Sequence, residues 1–259
     1  MKAVIMSEPV FTNGFSSVDN QHAHQQWQQL HDLILKLGIP VYRLPNVPYI
    51  DRFYAMSQHG LIYGNQCLLA HNRDARCQYG PYLKAWISES PNFSSLHTAY
   101  PRYHRDNKHP QVFSGSADAI LVDSTFYMGY GTYTNIEVAN DLTSVMKTRT
   151  VELSLLKPNS HLIDSILPIN SGQIFYQDAS LNPQSASTLA ESFSLICAQD
   201  DPTLYPTHSL IYGLNAICSD NCVETIKNLI QLGYEVHTVE MSFFQSLGLG
   251  PLALTLPVL

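Results

Sequence analysis

Charge is what this chain has least of. Charged residues make up 14% of it, against ~25% in an average globular chain. With apolar residues at 45%, that balance excludes a disordered, heavily solvated polymer. Basic residues are the scarcer kind: 14 Lys and Arg stand against 21 Asp and Glu, a formal net charge of −7. There is no basic footprint for nucleic acid or for an anionic membrane surface, so small-molecule or protein partners are the expectation. Cysteine pairing is missing as well. Cys67, Cys77, Cys197, Cys218 and Cys222 form no Cys-x-x-Cys motif, and an odd number does not suit a closed disulfide framework. A reducing, cytoplasmic setting is the expectation. Long apolar runs are also lacking. The opening Met1 to Met6 is cut off by Ser7-Glu8-Pro9, too soon for a signal-peptide core. The stretch Leu247 to Leu259 is interrupted by Gly248, Gly250, Pro251 and Pro257 and falls short of the ~20 residues a spanning helix needs.

What is present is a regular alternation of short apolar runs and helical patterns, with no linker or low-complexity tract between halves. Residues 1–259 read as one domain. Strands are expected over residues 2 to 6 and Val41 to Leu44, with a helix from Gln21 to Leu37 between them, stopped by Gly38. Leu61 to Leu69 reads as a hairpin around Gly64-Asn65, followed by a short helix over Tyr82 to Ile87. The next cycle runs Ala119 to Val122 and Thr125 to Met128 as strands, Ile136 to Met146 as helix and Val151 to Leu153 as strand. Leu162 to Pro168 and Gln173 to Tyr176 follow as strands, with a weak helix over Leu189 to Phe193. Strand Asn215 to Cys218, helix Cys222 to Leu232, and strands Glu235 to Val239 and Leu252 to Leu256 close the chain. Repeated strand, strand, helix, strand units predict a closed circular α/β array in place of a doubly wound sheet.

Several segments then match a known family in order and spacing. They are Met6-Ser7-Glu8-Pro9, Gln26-Trp27, the stretch from Leu44-Pro45 to Asp51, and Gly60-Leu61-Ile62-Tyr63-Gly64-Asn65. Further on come Phe113-Ser114-Gly115-Ser116-Ala117-Asp118, Gly129-Tyr130-Gly131-Thr132-Tyr133-Thr134, His161-Leu162-Ile163-Asp164 with Pro168, Leu214-Asn215-Ala216, Gly233-Tyr234-Glu235-Val236, and the closing Gly248 to Leu256. In this ordered set the chain resembles the amidinotransferase and dimethylarginine dimethylaminohydrolase-like family of the guanidino-modifying (pentein) superfamily. The resemblance implies a five-bladed α/β propeller with a small central site. It also implies a thiolate that attacks a guanidinium carbon, a His as general acid and base, and carboxylates that hold the planar cation.

Position by position, the chain keeps part of that equipment. Ala253 stands where the family places its nucleophilic Cys, and a methyl group attacks nothing. Ser114 replaces a carboxylate, while Asp118 stays. His161 matches the family His, but Ile163 takes the place of the following acid and Asp164 arrives one residue late. On a strand that shift points a side chain to the opposite face, so Asp164 is expected to turn away from the site, though it is kept with Ser114 among the ligand-binding candidates. Tyr133 replaces an Arg that receives a substrate carboxylate. Tyr133 and Thr134, after a Gly-x-Gly turn, are expected at the site mouth, where Tyr133 offers stacking or a neutral hydrogen bond. Asp51, in a loop one residue longer than the family's, is a further ligand-binding candidate.

Each candidate also has a structural reading: His161 as a buried hydrogen-bonded imidazole, Asp118 as part of a turn, Asp51 as an exposed loop residue, Tyr133 as a plug. No metal is expected, since His22 and His24 are two apart on a helix and no His/Cys/Asp trio has ligand spacing. No cofactor is expected, since Gly129 and Gly131 are not followed by a phosphate-binding phrase. The function this predicts is a divergent family member that either binds a small polar or amine-bearing ligand or performs thiol-free acid/base chemistry through His161. The alternative is an arginine-type amidinohydrolase or amidinotransferase whose Cys at position 253 was replaced by Ala. Oligomeric state is left open by the sequence.

Overall fold

The computed structural model describes residues 1–11, 15–47, 49–50, 52–74, 78–102, 111–156 and 160–259. Its first unit contains β1 (Ala3–Met6), α1 (Ser17–Lys36) and β2 (Val41–Arg43). The second is β3 (Gly60–Tyr63), β4 (Gln66–Leu69), α2 (Gly80–Glu89) and β5 (His97–Ala99). The third is β6 (Ala119–Val122), β7 (Thr125–Tyr130), α3 (Val138–Met146) and β8 (Arg149–Ser154). The fourth is β9 (Ile166–Asn170), β10 (Gln173–Tyr176), α4 (Pro183–Ala190) and β11 (Ser194–Cys197). The fifth is β12 (Leu210–Tyr212), β13 (Asn215–Ser219), α5 (Val223–Gln231) and β14 (Glu235–Val239). A short α6 (Ser242–Ser246) leads to β15 (Leu256–Val258), which pairs antiparallel with β1 and completes the first unit.

All five units repeat one hydrogen-bonding plan. Two strands pair antiparallel, and the second pairs parallel, across a helix, with the third. A parallel partner needs such a crossover, and a helix supplies it. The first two units also join through Val258 and Ile62, which makes one six-stranded sheet beside three sheets of three strands.

The apolar residues explain why the array closes. Each core cluster draws on two successive units: Ile5 and Leu256 with Ile62 and Leu83, Leu68 with Phe126 and Leu142, Leu153 with Ile174 and Leu189, and Phe175 with Leu229. The remaining cluster joins Ile217 and Val239 of the fifth unit to Val4, Trp27 and Leu30 of the first. A unit buries its second apolar face only against a neighbour, so the ring is the arrangement that leaves no such face open.

The helices and strands follow the apolar pattern with three corrections. Helix α1 starts four residues earlier than its periodicity suggests, because the Ser16 hydroxyl accepts from the Asp19 N–H and the Asp19 carboxylate accepts from the Ser16 N–H, a reciprocal cap outside the apolar stripe. The weak helix expected over Leu189 to Phe193 is instead α4, begun by the Asn182 cap on the Gln184 N–H and by Pro183. Two expected strands begin as single 3₁₀ turns, Leu162–Asp164 and Leu252–Leu254. Such a turn precedes the first strand of every unit, the others being Met56–Gln58, Gly115–Ala117 and Pro206–His208. These five turns carry the chemistry described next. Among the described residues no helix is long and apolar enough to cross a membrane.

Candidate functional site

His161 sits in extended backbone just before the Leu162–Asp164 turn, with its side chain 14% exposed. Its Nδ1 lies 3.1 Å from Oδ1 of Asp118. A carboxylate only accepts, so Nδ1 carries the hydrogen. Asp118 is 1% exposed and is filled by two further donors, the Thr134 hydroxyl to Oδ2 at 2.6 Å and the Leu162 N–H to Oδ1 at 2.9 Å. Gly115 begins the turn that delivers Asp118. Its φ is +64°, and a Cβ there would lie 2.6 Å from the backbone of Gly60, so only glycine closes this turn. On the other side of the imidazole, the Gln58 amide nitrogen lies 3.2 Å from Nε2. The Tyr133 ring stacks on the imidazole at 4.6 Å between centroids.

Burial works against a charged His161. The Asp118 carboxylate, by charge and hydrogen bond, together with the charge of Asp164, outweighs that burial and the opposing Arg52, and holds the imidazole pKa above its ordinary value.

Asp164 is part of this site, contrary to the expectation that it faces away. Strand alternation does not apply to residues 162–164, which form a 3₁₀ turn. That turn folds the carboxylate back: Oδ2 accepts from the His161 backbone N–H at 2.7 Å, and Oδ1 meets Nε2 of His208 at 2.7 Å. The Gly250 N–H donates to Nδ1 of His208 at 3.1 Å. His208 is thereby fixed as the tautomer that donates from Nε2 to Asp164. Burial raises the Asp164 pKa, but the hydrogen bond and charge of His208, the charge of His161 and its backbone N–H outweigh it and hold the group below the usual carboxylate range.

These side chains wall a cavity of about 170 Å³. Arg52, Gln58, Tyr133, His161, Asp164 and Tyr205 contribute to the wall, with His208 and Ile163 beneath them and residues Leu247, Gly248 and Leu249 along one side. The Arg52 guanidinium donates to the Leu247 carbonyl. Arg52 and Tyr205 both sit at positive φ, +56° and +51°, so two strained loop residues are spent on this one wall.

Three other candidates land elsewhere. Ser114 is 2% exposed, and its hydroxyl donates to the Tyr133 carbonyl, so it fastens the Tyr133 loop and does not line this cavity. Thr134 turns inward to Asp118 and does not reach the mouth. Ala253 is fully buried in the core cluster that also holds Ile163 and Leu254. Asp51 lies outside the described residues. Sequence reasoning missed Gln58, Arg52, Tyr205 and His208. The usable signal was positional: Gln58 and His208 each end a turn before a unit's first strand, the place His161 begins one.

The described thiols stand away from the cavity. Burial pushes the thiols of Cys67 and Cys222 up to about 12 and that of Cys218 up to about 11, and neither these nor the exposed Cys197 lines the cavity.

Fold and site together define a closed ring of strand–strand–helix–strand units with a His–Asp pair at the end where its turns converge. No protein-family model matches the chain. It is 21% identical over 237 residues to an uncharacterised protein of Caenorhabditis elegans, covering 89% of this chain and 81% of that protein. It is 21% identical over 229 residues to the N(G),N(G)-dimethylarginine dimethylaminohydrolase of Mycobacterium tuberculosis, covering 87% of this chain and 72% of the relative. Among solved structures, the N-terminal domain of ArgZ bound to product, an arginine dihydrolase from the ornithine–ammonia cycle in cyanobacteria, superimposes with a TM-score of 0.87 at 18% identity, covering 99% of this chain and 97% of that one. The chain has the fold of these proteins and resembles the amidinotransferase and dimethylarginine dimethylaminohydrolase-like family of the pentein superfamily.

Proposed function

We propose that this chain holds a small amine-bearing molecule at the His161–Asp164 cavity without covalent thiol chemistry. The observation that carries the reading is the pair of groups at that wall, an Asp164 carboxylate held in its charged form and an imidazole held by Asp118, around a cavity that no described thiol lines. Asp164 supplies the counter-charge for an ammonium or amidinium group, and the faces of Tyr133 and Tyr205 add cation–π attraction. A guanidinium carbon is a poor electrophile, so its cleavage needs a strong nucleophile. The Ala253 methyl group and the raised thiols do not provide one.

The second reading is an amidinohydrolase or amidinotransferase with Cys at position 253. The complete Asp118–His161 pair favours it, because the acid/base half of such a reaction is in place. One experiment separates the two. Calorimetric titration of the purified chain with agmatine, arginine and citrulline is run beside mass-spectrometric analysis of the same mixtures. The binding reading expects saturable agmatine binding without turnover, and at least tenfold weaker binding in Asp164→Asn. Consumption of any of the three compounds by the unsubstituted chain overturns it. Efficient release of citrulline or ornithine by Ala253→Cys establishes the second reading.

A further inference from the structure

Inside the ring lies a second cavity of about 250 Å³, larger than the first. The first strand of every unit contributes to its wall, through Leu61, Leu121, Leu167, Leu210 and Pro257. Among the described residues no ionisable side chain lines it, and the main-chain ends Met1 and Leu259 stand at its wall. Among the described residues Ser116 and Ser209 are its only polar side chains, and both are already committed: Ser116 donates to the Ser57 carbonyl at 3.1 Å and Ser209 to the Pro206 carbonyl at 2.9 Å. Two of the five strands carry a proline at the wall, Pro168 and Pro257, and each proline removes a backbone N–H that an apolar space would leave unpaired.

We infer that this cavity is a binding site for a small uncharged molecule with a hydrocarbon body. A space walled by aliphatic side chains, with its hydroxyls satisfied, gives water few side-chain partners and favours an apolar guest. An apolar cavity of about 150 Å³ accepts benzene, so this one accepts a somewhat larger ring or a short aliphatic chain. It is too small for a folded segment of another protein, and apart from the main-chain ends at Met1 and Leu259 a charged guest would find no charged group among the described residues to compensate it. The site also touches the first one. Ile163 lines both cavities, and it lies in the turn between His161 and Asp164, so the apolar guest contacts the segment that sets both polar groups.

The test uses the whole chain with benzene and indole as probes, followed by isoleucine methyl NMR. Saturable shifts of the Ile120, Ile163 and Ile211 methyl groups are expected, while those of Ile87 and Ile230 stay in place. Ile211 is half-buried at the wall, and Ile211→Trp fills the space and weakens indole binding at least tenfold. Absence of a saturable shift, shifts centred on other isoleucines, or unchanged affinity in a folded Ile211→Trp chain overturns the inference. The methyl map of the unsubstituted chain decides the matter if that variant does not fold.

Discussion

Replacing Asp118 separates what its charge does from what its hydrogen bonds do. The carboxylate accepts from the Thr134 hydroxyl, the Leu162 N–H and the His161 Nδ1–H. In Asp118→Asn the amide oxygen takes the place of Oδ1 and still accepts from Leu162 and His161. The amide nitrogen faces Thr134, whose hydroxyl is 2.9 Å from the Tyr133 carbonyl and can turn to donate there while accepting from the new amide. Every donor keeps a partner, and only the charge is lost. A charge-assisted bond exceeds a neutral one by about 1–2 kcal/mol, which is the expected cost at pH 5. Asp118→Ala removes the acceptor and leaves two buried donors unpaired beside a small cavity, a cost of about 3–5 kcal/mol. The pH dependence has a definite sign. The folded His161 pKa is raised, so the ionic contribution is complete below the unfolded imidazole value of about 6.5 and is lost as pH rises through the higher folded value. Denaturant unfolding of the three proteins at pH 5, 7 and 9 reads this directly. The Asn penalty shrinks towards zero at pH 9, and the Ala penalty persists. An Asn penalty that is flat with pH, or equal to that of Ala, refutes the argument.

Two other substitutions probe the Asp164 side. A Cβ on Gly250 would lie 2.7 Å from the Cβ of His208, an atom fixed to the main chain, so Gly250→Ala is expected to cost about 1–3 kcal/mol in chemical denaturation and to loosen the His208–Asp164 bond. His208→Phe removes the main hydrogen bond that lowers the Asp164 pKa. A carboxylate with a lowered folded pKa contributes stability that is present above its unfolded value and lost as pH falls through the folded one. The Asp164 titration midpoint, followed by carboxyl-carbon NMR, therefore moves to higher pH in the variant, and acid unfolding begins earlier. An unmoved midpoint would show that His208 does not tune Asp164.

The ring itself was legible because each unit writes its two antiparallel strands and its crossover helix in apolar periodicity, as in β6, β7 and α3. The His161–Asp118 pair was legible because these two residues keep their places in phrases that are otherwise altered at Ser114 and Ile163. Asp164 was misjudged for a physical reason: an alternation rule was applied where three residues of 3₁₀ turn change the direction of the side chain. Ser114 and Thr134 were judged by position along the chain, which cannot show that a short hydroxyl prefers a buried carbonyl or carboxylate over the open cavity. His208 left no phrase at all. Its role depends on the Gly250 N–H, 42 positions away in sequence, and only the closed ring brings them together.

The proposed site's parts are tied to the fold unequally. Ala253 contributes a methyl group to an apolar cluster, so a thiol there answers to no folding requirement. Asp118 and Asp164 are different. One satisfies the Leu162 N–H and the Thr134 hydroxyl, the other the His161 N–H and the His208 ring, and removing either leaves buried donors unpaired at a cost of about 1–3 kcal/mol each. The Asp118–His161 and Asp164–His208 pairs are thus held by the stability of the fold, which places no such demand on a thiol at position 253. The mere presence of the His161–Asp118 pair therefore says little about turnover. The residues that report on ligand choice are those at the wall that the core does not need: Arg52, Gln58 and Tyr133, which are exposed or half-buried. Substitutions there should move affinity while leaving unfolding almost unchanged, the reverse of the pattern expected at Asp118.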